Sequence, residues 1–143
     1  MIVSTKGRYA LRVMIDLAEH QAEGYIPLRQ VSERQAISEK YLESIVKTLV
    51  QNKLLQGLRG KGGGYKLTRK PEQYTVYDIL SLTEGTLAPV SCLEEDAAVC
   101  PAAGDCRTLP MWQELNTLVG DFFKKYTLAD LMTSAQSSDF YVI

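Results

Sequence analysis

The chain is poor in the residues that most often do chemistry: one histidine (His20), one tryptophan (Trp112) and three cysteines among 143 residues. A single histidine leaves no histidine-based acid–base dyad, and neither paired catalytic carboxylates nor a cofactor fingerprint accompanies it, so the chain is not expected to be an enzyme. No apolar run reaches the roughly eighteen residues that would mark a membrane span, and no membrane partner is expected. The N-terminal stretch MIVSTKGRYALRVMIDLAEH is apolar, but Arg12 and Asp16 interrupt it and no small-residue cleavage site follows. It is expected to be a helix of the mature fold rather than a signal peptide. The expected compartment is therefore the reducing cytoplasm, where clustered thiols point to metal or redox chemistry more than to a structural bridge.

Net charge is also nearly absent, at −1, which taken alone argues against nucleic acid as a partner. The average conceals a split. Residues 1–70 carry thirteen Lys/Arg and six Asp/Glu, net +7, whereas residues 71–143 carry three and eleven, net −8. Such a division predicts a basic, anion-facing front and an acidic back.

What is present is hydrophobic periodicity, with 45% apolar and 23% charged residues in the proportions of a globular chain. Leu11, Met14, Ile15 and Ala18 predict an amphipathic helix over Gly7–His20. Gly24 and Pro27 break it, and a short helix follows over LRQVSERQA. After a turn at Ile37, Ser38 is a suitable N-cap for EKYLESIVKTLVQNK, which buries Leu42, Ile45, Val46 and Leu49. Two β-like runs, Leu54–Arg59 and Tyr65–Thr68, flank GKGGG, whose glycines suit a hairpin tip. RGKGGGYKL lacks the Walker spacing, and Arg59 and Lys61 at the tip favour a DNA-contacting wing over a plain turn. Helix, short helix, turn, longer helix and basic hairpin is the order of a winged helix-turn-helix.

After Pro71, VYDILSLTEG predicts a further helix with Val76, Ile79, Leu80 and Thr83 inward and Gly85 as C-cap. The segment SCLEEDAAVCPAAGDCRTLPMW then holds every cysteine, Cys92, Cys100 and Cys106, without helical periodicity. Order resumes at TLPMWQELNTLVGDFFKKY, where Trp112, Leu115, Val119, Phe122 and Tyr126 form the seam of two long packed helices, with Leu118 and Phe123 adding apolar area. This seam predicts a homodimer, since a reader of palindromic DNA needs two-fold symmetry. Thr127 and Asp130 resemble a capping box for a last short helix, TLADLM.

The expected fold is mainly α with a small β-hairpin wing. A winged helix-turn-helix domain at 1–85 leads into a cysteine-containing sensor loop at 86–107, then a dimerisation helix and short C-terminal helix at 108–143. On the DNA side, Ser38, Lys40, Tyr41, Glu43, Ser44 and Lys47 face outward from the recognition helix, and Arg59 and Lys61 would reach phosphate or the minor groove. An acid such as Glu43 repels phosphate there unless it accepts from a cytosine amine. Thiolates suit iron–sulfur clusters, zinc and copper(I). Zinc would want a fourth ligand and the paired C-x2-C knuckles that are missing here. Cluster binding, thiol redox sensing, adventitious zinc and a vestigial loop all fit three cysteines alone.

The stretches STKGRYAL, SERQAISEKYLE and RGKGGGYKL, the three-cysteine loop and the LPMW helix start together resemble the IscR/CymR-type bacterial winged-helix transcription regulators. The resemblance covers nearly the whole chain. It implies a DNA-binding dimer with crossing long helices and, for the IscR-like branch, an iron–sulfur cluster of the 2Fe-2S type on the three cysteines. It also implies that Glu43 tunes which sites are bound with and without cluster. CymR-like members lack these cysteines and respond through a partner enzyme of cysteine synthesis; TLADLM and the terminal DFYVI are CymR-like features. The sequence departs from the IscR pattern in three places. Leu109 stands where that branch has a histidine three residues after the last cysteine. Arg8 and Arg12 occupy the N-terminal helix positions from which some relatives supply a ligand to the other subunit, and cations cannot ligate. The spacing is C-x7-C-x5-C rather than C-x5-C-x5-C. Glu94, Glu95, Asp96 and Asp105 are the carboxylates available as a fourth ligand. A reading from another class, an iron–sulfur carrier or electron-transfer protein, leaves the wing and the charge split unexplained.

Overall fold

In a computed structural model, residues 3–135 are described, and DFYVI lies outside them. The described residues form six α-helices and one hairpin: α1 Thr5–Glu19, α2 Leu28–Gln35, α3 Glu39–Gln51, β1 Leu55–Leu58, β2 Gly64–Leu67, α4 Val76–Glu84, α5 Leu109–Lys125 and α6 Leu128–Ala135.

Helix α1 begins two residues earlier than its apolar pattern implies. Ser4 is its N-cap, accepting from the Gly7 amide at 3.1 Å while its hydroxyl donates to Glu84 Oε1 at 2.7 Å. That carboxylate, the last residue of α4, also accepts from the Ser4 amide at 3.0 Å and so ties the two helix ends together. The buried stripe is turned from the expected one: Ala10, Val13, Met14, Leu17 and Ala18 are covered, whereas Leu11 and Ile15 are half-buried. Asp16 shares that buried stripe. A buried carboxylate needs partners, and Arg34 donates twice to it, at 3.0 and 2.7 Å, with Gln35 Nε2 donating at 2.9 Å. Helix α2 is thereby clamped to α1. Arg34's pKa is raised, chiefly by this hydrogen bond.

The turn between α2 and α3 passes through Ala36 in the left-handed region, φ 54°. Ile37, next along, is buried. Ser38 then caps α3, accepting from the Tyr41 amide at 3.2 Å as the sequence predicts, and Leu42, Ile45, Val46 and Leu49 enter the core. The hairpin is antiparallel, with Leu55 opposite Leu67 and Leu58 opposite Gly64. Gly64 is required on two counts. Its φ is +152°, and a Cβ there would lie 2.2 Å from the Ile26 carbonyl oxygen, because the chain entering α2 bridges to β2 through Ile26 and Tyr65.

Tyr74 anchors the base of the wing. Fully buried, it donates from its hydroxyl to the Leu54 carbonyl at 2.8 Å and accepts from the Thr68 and Arg69 amides at 2.9 and 3.0 Å. Thr75 and Asp78 cap α4 reciprocally; Val76, Ile79 and Leu80 are buried and Thr83 is half-buried. Gly85 is the C-cap, as expected. Helix α5 lies against α4 and buries none of its residues fully. The chain then returns. Thr75 and Thr127 form an antiparallel bridge, Thr127 and Asp130 make the predicted capping box, and Leu128 is fully buried in the main core beside α1. Helix α6 therefore packs on the N-terminal domain rather than continuing α5.

Candidate nucleic-acid interface and cysteine segment

Five of the six outward residues expected on the recognition helix, Ser38, Lys40, Glu43, Ser44 and Lys47, are exposed. Lys40, Glu43, Ser44 and Lys47 share the face of α3 opposite its core stripe, and Ser38 precedes them as the N-cap. Arg59 and Lys61 are exposed at the hairpin tip. A groove between α3 and the wing runs past Lys47, Gln51, Arg59 and Tyr65. The tip can be this tight because Gly63 sits where a Cβ would lie 2.2 Å from the Leu58 carbonyl oxygen. None of these cations enters an ion pair within the described residues. Their charge is available to phosphate.

Tyr41 differs from its neighbours. It is half-buried, and its ring meets Tyr9 edge-on, with centroids 5.7 Å apart at 84°. Tyr9 carries the Arg12 guanidinium over its face at 5.2 Å. Arg12 in turn donates from Nε to Gln35 Oε1 at 3.1 Å and from its terminal nitrogen to the Gln35 carbonyl. Sequence reasoning missed this group because it joins α1 to residues more than twenty positions away. The one available signal was Asp16 on a buried stripe, which demands a partner.

The cysteine segment is of another kind. Cys92 and Cys100 are exposed and Cys106 is half-buried; all three thiols are free. Among the described residues no three histidine, cysteine or carboxylate side chains are grouped so as to hold a metal ion. Residues 92–106 contribute nothing to either apolar cluster. Cys106 stands just before α5, with Sγ 3.5 Å from Thr108 Oγ1, and hydrogen bonds from the Thr108 side chain and backbone hold its thiol pKa below the ordinary value. Glu94, Glu95 and Asp96 line a cavity of about 540 Å³ against α4 and α5, together with Tyr77, Asn116 and Asp121. Asp105 is exposed. His20 is the C-cap residue of α1, its Nδ1 2.8 Å from the Asp16 carbonyl oxygen. Arg8 and Arg12 are exposed on α1.

Along α5, Met111, Leu115, Leu118 and Phe122 are exposed, the last two at 61% and 50%. Trp112 and Val119 flank them half-buried. Phe123 and Tyr126 pack toward their own domain with Val76, Leu80 and Leu87. The open stripe thus runs 111, 115, 118, 122, beside the expected seam and sharing Leu115 and Phe122 with it.

The chain matches the family model for Rrf2, described as iron-dependent transcriptional regulator, over residues 3–134. It belongs to the Rrf2 family. The HTH-type transcriptional regulator IscR of Sodalis glossinidius is 33% identical over 139 residues, covering 97% of this chain and 83% of that one. Among solved structures, CymR, the global cysteine regulator of B. subtilis, superposes with a TM-score of 0.75 at 33% identity, covering 94% of this chain and 98% of that one. T. potens IscR gives 0.73, also at 33% identity, covering 96% and 90%. The winged-helix architecture and the resemblance read from the sequence both hold, and the relatives are regulators rather than enzymes. No described helix is long and apolar enough to cross a membrane.

Proposed function

We propose that this Rrf2-family member is a homodimeric DNA-binding regulator whose operator binding responds to an iron–sulfur cluster, of the two-iron type, held by Cys92, Cys100 and Cys106. The observation that carries the reading is one chain pairing an exposed basic reading face with three free thiols on a segment outside the core. The donor set fits such a cluster in kind, since thiolate is its usual ligand and Cys106 is already biased toward thiolate. Leu109 cannot ligate; Glu94, Glu95, Asp96, Asp105 or water would complete the set. When bound, the cluster supplies a redox- and iron-responsive occupancy. By converging, the three thiolates would order the stretch that links the end of α4 to the start of α5. In a dimer joined along Met111, Leu115, Leu118 and Phe122, that ordering changes the relative placement of the two α3 helices and hence the match to half-site spacing.

Anaerobic purification tests the cluster: a coloured protein with about two irons per chain is expected. A colourless, iron-free product after anaerobic reconstitution defeats it. DNA binding is tested separately. A salt-dependent shift of a palindromic duplex should be lost when Arg59→Ala is combined with Lys61→Ala. Leu118→Glu with Phe122→Glu should leave a monomer in sedimentation.

Cys106 also supports a second reading, a cluster-free regulator controlled by thiol oxidation. The hydrogen bonds from Thr108 that lower its pKa favour the thiolate, the form that an oxidant attacks. Here iron-free protein would change its DNA affinity on peroxide treatment, and Cys106→Ser would abolish the change.

A further inference from the structure

The apolar face of α3 fixes its depth in the core through Leu42, Ile45, Val46 and Leu49. Its first turn, which follows the cap Ser38 and carries the exposed Lys40, is held by Leu42 and by a second side chain, Tyr41. Tyr41 is the side chain of that turn directed back toward α1, and it meets Tyr9 in a T-shaped pair. Tyr9 is held in turn by the Arg12 guanidinium, whose Nε and one terminal nitrogen are committed to Gln35, the last residue of α2. Gln35 reaches the buried Asp16 carboxylate through Nε2 at 2.9 Å. Both sides of the turn at Ala36–Ser38 are therefore bound to one helix, α1, by a continuous set of contacts.

We propose that Arg12 and Tyr9 are positioning residues for DNA recognition. With Tyr41 they brace the start of α3 at the pitch that lets its exposed side chains reach base edges, so they set sequence discrimination from outside the recognition helix. On this reading Arg12 is not a phosphate contact, although it is an exposed cation on the basic half of the chain. Tyr41 serves through its ring rather than by reading DNA. The inference rests only on the DNA-binding half of the proposed function and is indifferent to the cluster.

The test uses the full chain and a duplex that the wild type selects from a randomised pool, compared with a scrambled duplex over a range of salt concentrations. Tyr9→Leu and Arg12→Met should each lower the preference for the selected duplex by about tenfold, the scale of a lost aromatic pair or cation–π contact. Both should leave the salt slope at its wild-type value, and Tyr9→Phe, which keeps the ring, should keep the preference. Lys40→Ala calibrates the assay as an exposed cation and should lower the slope by about one. Should Tyr9→Leu fail to fold, Arg12→Met decides alone, because Arg12 is exposed. A slope reduced by about one in Arg12→Met, with preference intact, makes Arg12 a phosphate contact and overturns the brace. Wild-type preference in both variants overturns it equally. Failure of the wild type to enrich any duplex instead defeats the DNA-binding reading itself.

Discussion

The two ends of α4 border regions built on opposite terms. Before its first residue lies a front in which buried polar groups are answered by named partners: Asp16 by Arg34 and Gln35, and the Tyr74 hydroxyl by Leu54, Thr68 and Arg69. Beyond its last lies the cysteine segment, whose thiols are free and whose residues 92–106 join no apolar cluster. A DNA reader must hold its side chains in fixed register. A sensing segment must have somewhere to go when its ligands converge. On the proposed function, the fixed front would read DNA and the cysteine segment would respond, the two stretches being joined by α4.

Substitutions should separate the two regions by size of effect. The largest is expected at Leu128, which lies far along the chain but is fully buried in the front's core. Leu128→Ala should cost about 3 kcal/mol in denaturant unfolding, as a cavity in a packed core does. An effect below about 0.5 kcal/mol would detach α6 from the front. Next is Tyr74→Phe. It removes only an oxygen, yet leaves two amides and a carbonyl at the wing base without their shared partner. The expected loss is about 2 kcal/mol, together with faster amide exchange at Thr68 and Arg69. Ala36→Gly should act in the other direction. Alanine at φ 54° carries left-handed strain that glycine does not, so a gain of about 0.5 kcal/mol is expected.

These effects mark where the sequence was readable. Ser38, the Thr127–Asp130 box and GKGGG are local signals, in which a side chain bonds backbone three residues away or a glycine permits a turn, and the structure bears each of them out. Tyr74, Leu128 and Asp16 act across long separations, and periodicity carries no information about which distant group meets them. Of the residues expected inward on α1, Met14 and Ala18 are buried, whereas Leu11 and Ile15, as apolar as their neighbours, are half-buried. The candidate site divides in the same way. Exposed α3 residues followed from the helix pattern once the buried face was known, whereas the half-burial of Tyr41 depends on Tyr9, a residue of another helix. The cysteine segment was legible as chemistry, from its thiols, but has no periodicity from which to derive a shape.

The smallest expected effect lies within that segment and probes it most finely. Hydrogen bonds from Thr108, at the start of α5, favour the Cys106 thiolate. Because the thiolate is the nucleophile, a lowered pKa moves the rise of alkylation rate to lower pH. In a chain carrying Cys92→Ser and Cys100→Ser, iodoacetamide should modify Cys106 with a midpoint below that of an unperturbed thiol. Thr108→Val removes the hydroxyl and should move that midpoint upward, while the unfolding free energy stays within about 0.5 kcal/mol of its parent, since both side chains lie outside the core. The sign matters for either sensing chemistry. A thiol poised toward thiolate is a readier ligand for iron and a readier target for an oxidant than the same thiol without its hydrogen bonds from Thr108. A midpoint unmoved by Thr108→Val would show that the Thr108 hydroxyl does not set the reactivity of Cys106.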